Sequence, residues 1–156
     1  MKNNTVEVVL PKIVVVPCAG FVVLSKDATK VVIVATHSGN NLGFPKGKRK
    51  KDESYKETAL RELEEETGLS ADQIDIVENV YFDEMSVRNN PATRYFVAYA
   101  KKSDVTFVFD EEELEKVCWM DCDKLFELNN FKDSRKSILI QILSTLKNNE
   151  VLVCSE

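Results

Sequence analysis

Residues 43–69, GFPKGKRKKDESYKETALRELEEETGL, constrain this chain more than any other stretch. They open on a proline and glycine turn, pass through five cationic residues in the six positions 46–51, and become a helix rich in carboxylates. Like charge at that density on one short helix is costly unless a cation neutralises it. A bound divalent metal would do so, and an anionic substrate would account for the cations alongside.

The helix is well marked. Ser54 and Glu57 have capping-box spacing, Asp52 offers an alternative cap, and Gly68 stands where a left-handed C-cap residue stops a helix. Ala59, Leu60 and Leu63 fall on one side and are expected to face the core. Glu62, Glu65 and Glu66 share the other side. Carboxylates this close raise one another's pKa, and magnesium or manganese prefers oxygen donors of this kind. Arg61 is four residues from both Glu57 and Glu65, so it can pair with either and fix its orientation. The turn before the helix can aim backbone groups and Lys46 at phosphate oxygens.

At 156 residues the chain fits one domain, 1–156, whose core needs no disulfide support. The net charge of −5 argues against a general nucleic-acid binder and leaves 46–51 as the candidate for a local cationic groove. Cys18, Cys118, Cys122 and Cys154 are too scattered for a secreted disulfide scaffold, and no histidine cluster completes a zinc site with them. They read as reduced core or surface thiols. His37, the one histidine, lies in a polar loop and reads as a surface residue. No apolar run approaches the roughly 20 residues needed to span a bilayer. The expectation is a soluble cytoplasmic protein with no membrane association and no obligate protein partner.

Apolar, β-branched runs at 6–10, 13–16, 19–25 and 31–36 predict strands, the last two continuous enough to be covered on both faces. Beyond the helix, 74–87 reads as extended with a break near Glu78 and Asn79, 89–92 as a turn, and 93–100 as a strong strand. Residues 105–109 predict a short strand, 111–115 an acidic loop, and 117–120 a return to the sheet. A short helix capped by Asp121 is expected over 121–128. Ile138, Leu139, Ile142, Leu143 and Leu146 have the spacing of an amphipathic helix packed on a sheet. This order of elements predicts an α+β or α/β/α domain.

Gly47, Glu53, Arg61-Glu62-Leu63, Glu65-Glu66 and Gly68-Leu69 match every specified position of the Nudix box, residues 47–69. On these residues the chain resembles the Nudix hydrolase family. The resemblance implies an α/β/α sandwich with a mixed β-sheet. It also implies hydrolysis of a phosphoanhydride in a nucleoside diphosphate linked to another group. Glu62, Glu65 and Glu66 would ligate Mg²⁺ or Mn²⁺, joined by the carbonyl of Lys46, while Glu53 and Arg61 organise them. Glu113 would be an additional ligand or general base, with Glu112 the alternative because the run 111–113 can be aligned in either register.

Three substrate classes compete, each resting on its own part of the chain. Thr93-Arg94-Tyr95-Phe96, Trp119-Met120-Asp121 and Phe131-Lys132-Asp133 resemble the dinucleoside polyphosphate hydrolases in order and spacing. That ranks diadenosine tetraphosphate first and implies that Phe131 stacks on adenine. The aromatic partner expected near Ser86 and Val87 is missing, which leaves Tyr81, Phe82 or Phe44 to replace it. FPKGK with its lysine-rich continuation, and Glu113 six residues before Trp119, resemble the mRNA-decapping enzymes. Capped RNA is therefore the second class, although the last helix offers only Lys132, Arg135, Lys136 and Lys147 to an RNA backbone. The cations at 48–51 suit a diphosphoinositol polyphosphate, the third. Lys46, Lys48 and Arg49 are the expected contacts to an anionic polyphosphate. The non-enzymatic alternative is a silent nucleotide-binding module; such modules lose box carboxylates or the arginine, all present here.

Overall fold

The strand β1 (Cys18–Leu24) is buried from its second residue onward, and β2 (Lys30–Thr36) is buried at every position between its ends. Two-sided burial of this kind needs a layer on each face of the sheet. Ala19, Phe21 and Val23 point into one apolar cluster, and Val22 and Leu24 into the other. These are features of a computed structural model that describes residues 15–38 and 41–154, without the side chains of 150–154. The strand expected at 6–10 lies outside the described residues, as does the first half of that at 13–16. Val15 and Val16 precede β1 and form no strand.

β1 and β2 pair at Leu24 and Val31 and then diverge. Along its length β1 runs parallel to β6 (Pro91–Ala100), which pairs with β5 (Ile74–Met85), while β2 runs antiparallel to β7 (Leu114–Asp121). The opening between β1 and β2 is taken by the glycine-punctuated loop. Its short strands β3 (Leu42–Gly43) and β4 (Lys46–Lys48) pair with β2 and β1 respectively. The Phe21 N–H donates to the Pro45 carbonyl at 3.1 Å, and a Cβ on Gly20 would collide with that carbonyl and with Lys46. Close backbone approach, available only to glycine, thus seats Lys46 and Gly47 against the centre of the sheet.

α1 (Tyr55–Thr67) covers one face. Both halves of the capping box form between Ser54 and Glu57, so Asp52 is not the cap, and Gly68 ends the helix in the left-handed region at φ 81°. Ala59 and Leu63 are buried and Leu60 packs half-buried beside them. α3 (Asp133–Cys154) covers the other face through Ile138, Leu139, Ile142 and Leu146, preceded by the single turn α2 (Cys122–Leu125). Asp121 stands at the cap of α2 without a side-chain capping bond. The break foreseen near Asn79 is a register shift in β5, where Asn79 takes φ 62°.

Two expectations are corrected. Residues 105–109 form no strand: Val105, Phe107 and Phe109 pack on the α1-side core, but the Val108 N–H donates to the Thr67 carbonyl at the end of α1. The alternation is real, yet no neighbouring strand edge takes up the backbone. The acidic loop shortens to 111–113, because Leu114 is buried and begins β7. Among the described residues, no helix is long and apolar enough to cross a membrane.

Candidate active site

One guanidinium organises the acidic side of α1. Arg61 donates from Nε and Nη2 to the two oxygens of Glu53 at 2.7 and 2.9 Å, and from Nη1 to Glu62 at 2.9 Å and Glu65 at 3.3 Å. Nη2 also reaches the Lys48 carbonyl at 3.0 Å, tying the helix to the loop. Glu53 further accepts from the Lys50 N–H and the Thr58 hydroxyl. The Arg61 guanidinium holds the Glu53 carboxyl down at about 2, against the opposing effect of desolvation.

Gly47 makes room for Glu62. A Cβ built on this glycine would fall on the Glu62 carboxylate, so the loop is shaped around that side chain. Glu66 is different. It accepts the Lys46 N–H at 2.7 Å, but burial, Glu62 and Glu113 act against its charge and push its carboxyl up to about 7. Glu113 itself is exposed, in the turn before β7, and reaches Glu66 through charge. Glu112 instead takes part in a turn through its N–H to Asp110.

Among the described residues, no three histidine, cysteine, aspartate or glutamate side chains stand together at metal-binding spacing as placed. Arg61 bonds both Glu62 and Glu65, and Glu66 turns to the loop. The donor chemistry nevertheless fits a hard divalent cation: carboxylate oxygens at 62, 65, 66 and 113, a glycine cradle beside one of them, and a half-buried carboxylate, Glu66, short of positive charge.

The loop leads from the carboxylates to a cleft on the α3 side. A smaller lobe of about 250 Å³ is lined by Asn41, Phe44, Lys46, Glu66, Lys132 and Arg135, among others. A larger lobe of about 680 Å³ lies beside it, lined by Cys18, Glu84, Ser86, Val87, Thr93 and Ser134, and it shares Lys46, Lys132 and Arg135 with the first. Three cations therefore stand where the lobes meet, and Glu66 reaches the smaller lobe from α1. Glu84, buried in the partition, accepts from Ser134 at 2.6 Å and from Tyr95 at 3.3 Å, and lies 3.5 Å from Arg135. Burial and the Glu84 carboxylate hold the Tyr95 phenol well above its ordinary range, which keeps it a neutral donor.

The structure thus brings together Lys46, Glu53, Arg61, Glu62, Glu65, Glu66 and Glu113. It separates others. Phe131 is fully buried and packs edge-on against Phe44 at 5.6 Å, so neither ring offers a free face to a base, although Phe44 lines the smaller lobe. Packing rather than stacking explains these aromatics. Tyr81 is exposed but outside both lobes, its ring over Arg94 at 4.1 Å. Arg49 donates to the Glu53 carbonyl and covers the Tyr55 ring, and neither it nor Lys48 lines either lobe. His37 is exposed and donates to the Glu111 carbonyl. Glu84 and Ser134 carry no role in the sequence pattern, and Lys132 and Arg135 are given one there only as cations available to an RNA backbone. Charge alone does not single out Glu84, since its strand also carries Asp75, Glu78 and Asp83.

A helix of oxygen donors thus opens onto a cationic cleft. The NUDIX domain family matches residues 15–141. Bis(5′-nucleosyl)-tetraphosphatase (asymmetrical) of Rattus norvegicus is 31% identical over 113 residues, 71% of each chain. mRNA-decapping enzyme subunit 2 of Arabidopsis thaliana is 27% identical over 115 residues, 74% of this chain and 30% of that one. The chain thus spans less than a third of the length of that decapping protein, and 13% and 16% of its Saccharomyces cerevisiae and Schizosaccharomyces pombe counterparts. In fold it is similar to an Ap4A hydrolase of C. elegans, with a TM-score of 0.73 at 19% identity, over 84% of this chain and 98% of that one. The chain belongs to the Nudix hydrolase family, with a mixed sheet between helices.

Proposed function

We propose that this enzyme hydrolyses a phosphoanhydride in a dinucleoside polyphosphate of the diadenosine tetraphosphate type. The observation that carries the reading is the two-lobed cleft meeting at Lys46, Lys132 and Arg135 beside Glu66. A substrate with a nucleoside at each end and phosphates between would place one end in each lobe and its charge over the cations. The tetraphosphatase relative, of matching length, supports this choice.

The cofactor is Mg²⁺ or Mn²⁺, held by Glu62, Glu65 and Glu66 with Glu113 and the Lys46 carbonyl. Bound there, it would activate water and neutralise charge on the leaving phosphate. Arg61 and Glu53 keep the donors in place, and Lys46 steadies the phosphate chain. Glu113 acts as the further ligand or base. Half-buried free thiols at Cys18 and Cys118 suit a reducing, cytoplasmic setting.

A second reading is a capped RNA, also a polyphosphate between two nucleosides. It is favoured by the ladder in which Arg49 covers Tyr55 and Arg94 lies between Tyr55 and Tyr81, next to the exposed lysines at 48, 50 and 51. A diphosphoinositol polyphosphate has one ring and would use one lobe. Product analysis on diadenosine tetraphosphate, capped RNA and a diphosphoinositol polyphosphate in parallel decides among them. Diadenosine tetraphosphate is expected to give the highest kcat/KM, and a higher value for either rival overturns the choice.

A further inference from the structure

Arg135 lies outside the Nudix box, yet it stands at the partition of the cleft and lines both lobes. We propose that Arg135 is a specificity-determining residue that binds the phosphate lying over this partition, so that the enzyme selects substrates whose phosphate chain continues across it. The inference deepens the two-ended reading above and rests on it.

The guanidinium is held on two sides and free on the third. Nη1 donates to the Leu42 carbonyl at 2.6 Å, which fixes it to the loop that carries Lys46. Gly43 leaves the space: a Cβ there would come within 3.0 Å of Nη1. Nε is buried 3.5 Å from Glu84 and makes no hydrogen bond among the described residues. The oxygens of Glu84 are engaged by Ser134 and Tyr95, so Glu84 supplies a counter-charge rather than a fitted bond. At Nε the guanidinium is held by charge alone, so that edge can tilt towards an anion while Nη1 keeps its bond to the Leu42 carbonyl. Nη2 makes no hydrogen bond among the described residues, and the side chain keeps about 12% of its surface exposed. Arginine offers phosphate two parallel donors where lysine offers one point charge. Lys46 and Lys132 flank the same spot and carry the neighbouring phosphates. In this arrangement Arg135 contacts substrate and Glu84 positions it.

The test compares diadenosine tetraphosphate with ATP, whose phosphate chain ends without a second nucleoside. kcat/KM is measured for both with Mg²⁺ in the wild type, in Arg135→Lys, and in the double variant Glu84→Gln/Arg135→Gln. The double variant removes both charges, so neither is left buried alone. Arg135→Lys keeps the counter-charge of Glu84, so the test stands even where the double variant fails to fold. The preference for diadenosine tetraphosphate is expected to fall about tenfold or more in each folded variant, mainly through KM, the loss of a charge-assisted contact. Calorimetric binding of a methylene-bridged diadenosine tetraphosphate analogue to the metal-free protein should weaken by a similar factor. A change in preference of less than about threefold in folded Arg135→Lys overturns the inference, since a phosphate fork is worth more than that. A wild-type enzyme with no preference for diadenosine tetraphosphate sinks the two-ended reading instead. A preference that survives the substitutions sinks only the role of Arg135.

Discussion

On the α1 side of the sheet a single guanidinium, Arg61, gathers Glu53, Glu62 and Glu65. On the α3 side a single carboxylate, Glu84, sits under Arg135 with two hydroxyls. Each centre is one charge surrounded by partners of the other kind, and each leaves a surplus. The α1 side has carboxylates beyond what Arg61 neutralises, Glu66 above all. The α3 side has Lys46 and Lys132 beyond what Glu84 neutralises. The surpluses meet at the loop of β4, where Lys46 lines the cleft and its N–H bonds Glu66. On the proposed function, a divalent cation would complete the first and a polyphosphate the second.

The largest effect should come from removing charge on the surplus side of α1. Glu65→Gln and Glu66→Gln are expected to fold as the wild type does, by circular dichroism, and to lose turnover on the order of a thousandfold, equivalent to several kcal/mol of transition-state stabilisation. Near-full activity in either would end the metal assignment. Gly47→Ala should follow, because the new Cβ lands on the Glu62 carboxylate. Forced displacement of that side chain or the loop costs about 1–3 kcal/mol of stability. Activity should fall about a hundredfold by misplacing the carboxylate. A fully active Gly47→Ala enzyme would mean that Glu62 does not need its cradle.

The two sides were unequally legible in the sequence. Ser54, Glu57 and Gly68 act within a few residues of one another, so spacing alone reported the helix and its ends, while separate roles for the carboxylates came only from the family resemblance. The partition of the cleft is built from Glu84 and Ser134, 50 residues apart, and forms only when α3 packs on the sheet. No local pattern announces that. Phe131 and Phe44 show the complementary failure. An aromatic beside a loop suits base stacking and core packing equally in sequence, and only their edge-on contact at 5.6 Å decides for packing. Likewise, 105–109 alternates as a strand does, but strandness requires a partner edge that the sequence cannot display.

An intermediate effect sharpens the meaning of surplus charge at Glu66. Its carboxyl is raised from 4.5 to about 7, chiefly by burial. A carboxyl raised by folding favours the native state when protonated. That stability is fully present below the unfolded value, near 4.5, and is lost as pH rises through about 7. The loss amounts to at most about 3 kcal/mol. The metal-free protein should therefore melt at lower temperature at pH 8 than at pH 5.5. Mg²⁺ should restore more at pH 8, where it meets a carboxylate rather than a neutral acid. Glu66→Gln should flatten both trends in a thermal melt. An equal Mg²⁺ shift at the two pH values contradicts the account.

The smallest effect is expected at the cations that neither side uses. Lys48, Arg49, Lys50 and Lys51 are exposed and line neither lobe. Exposed charges act through water within a Debye length of about 8–10 Å, so they steer an anion rather than hold it. Reversing the three lysines while keeping Arg49, which bonds the Glu53 carbonyl, leaves α1 and its carboxylates in place. KM should rise a few-fold at low salt, more for substrates with more phosphates, and the difference should vanish as salt is raised, while kcat stays constant. A salt-independent rise would mean direct contact, and the basic run would then belong to the cleft. No change at all would reduce it to a solvated turn and leave attraction of the substrate to Lys46, Lys132 and Arg135.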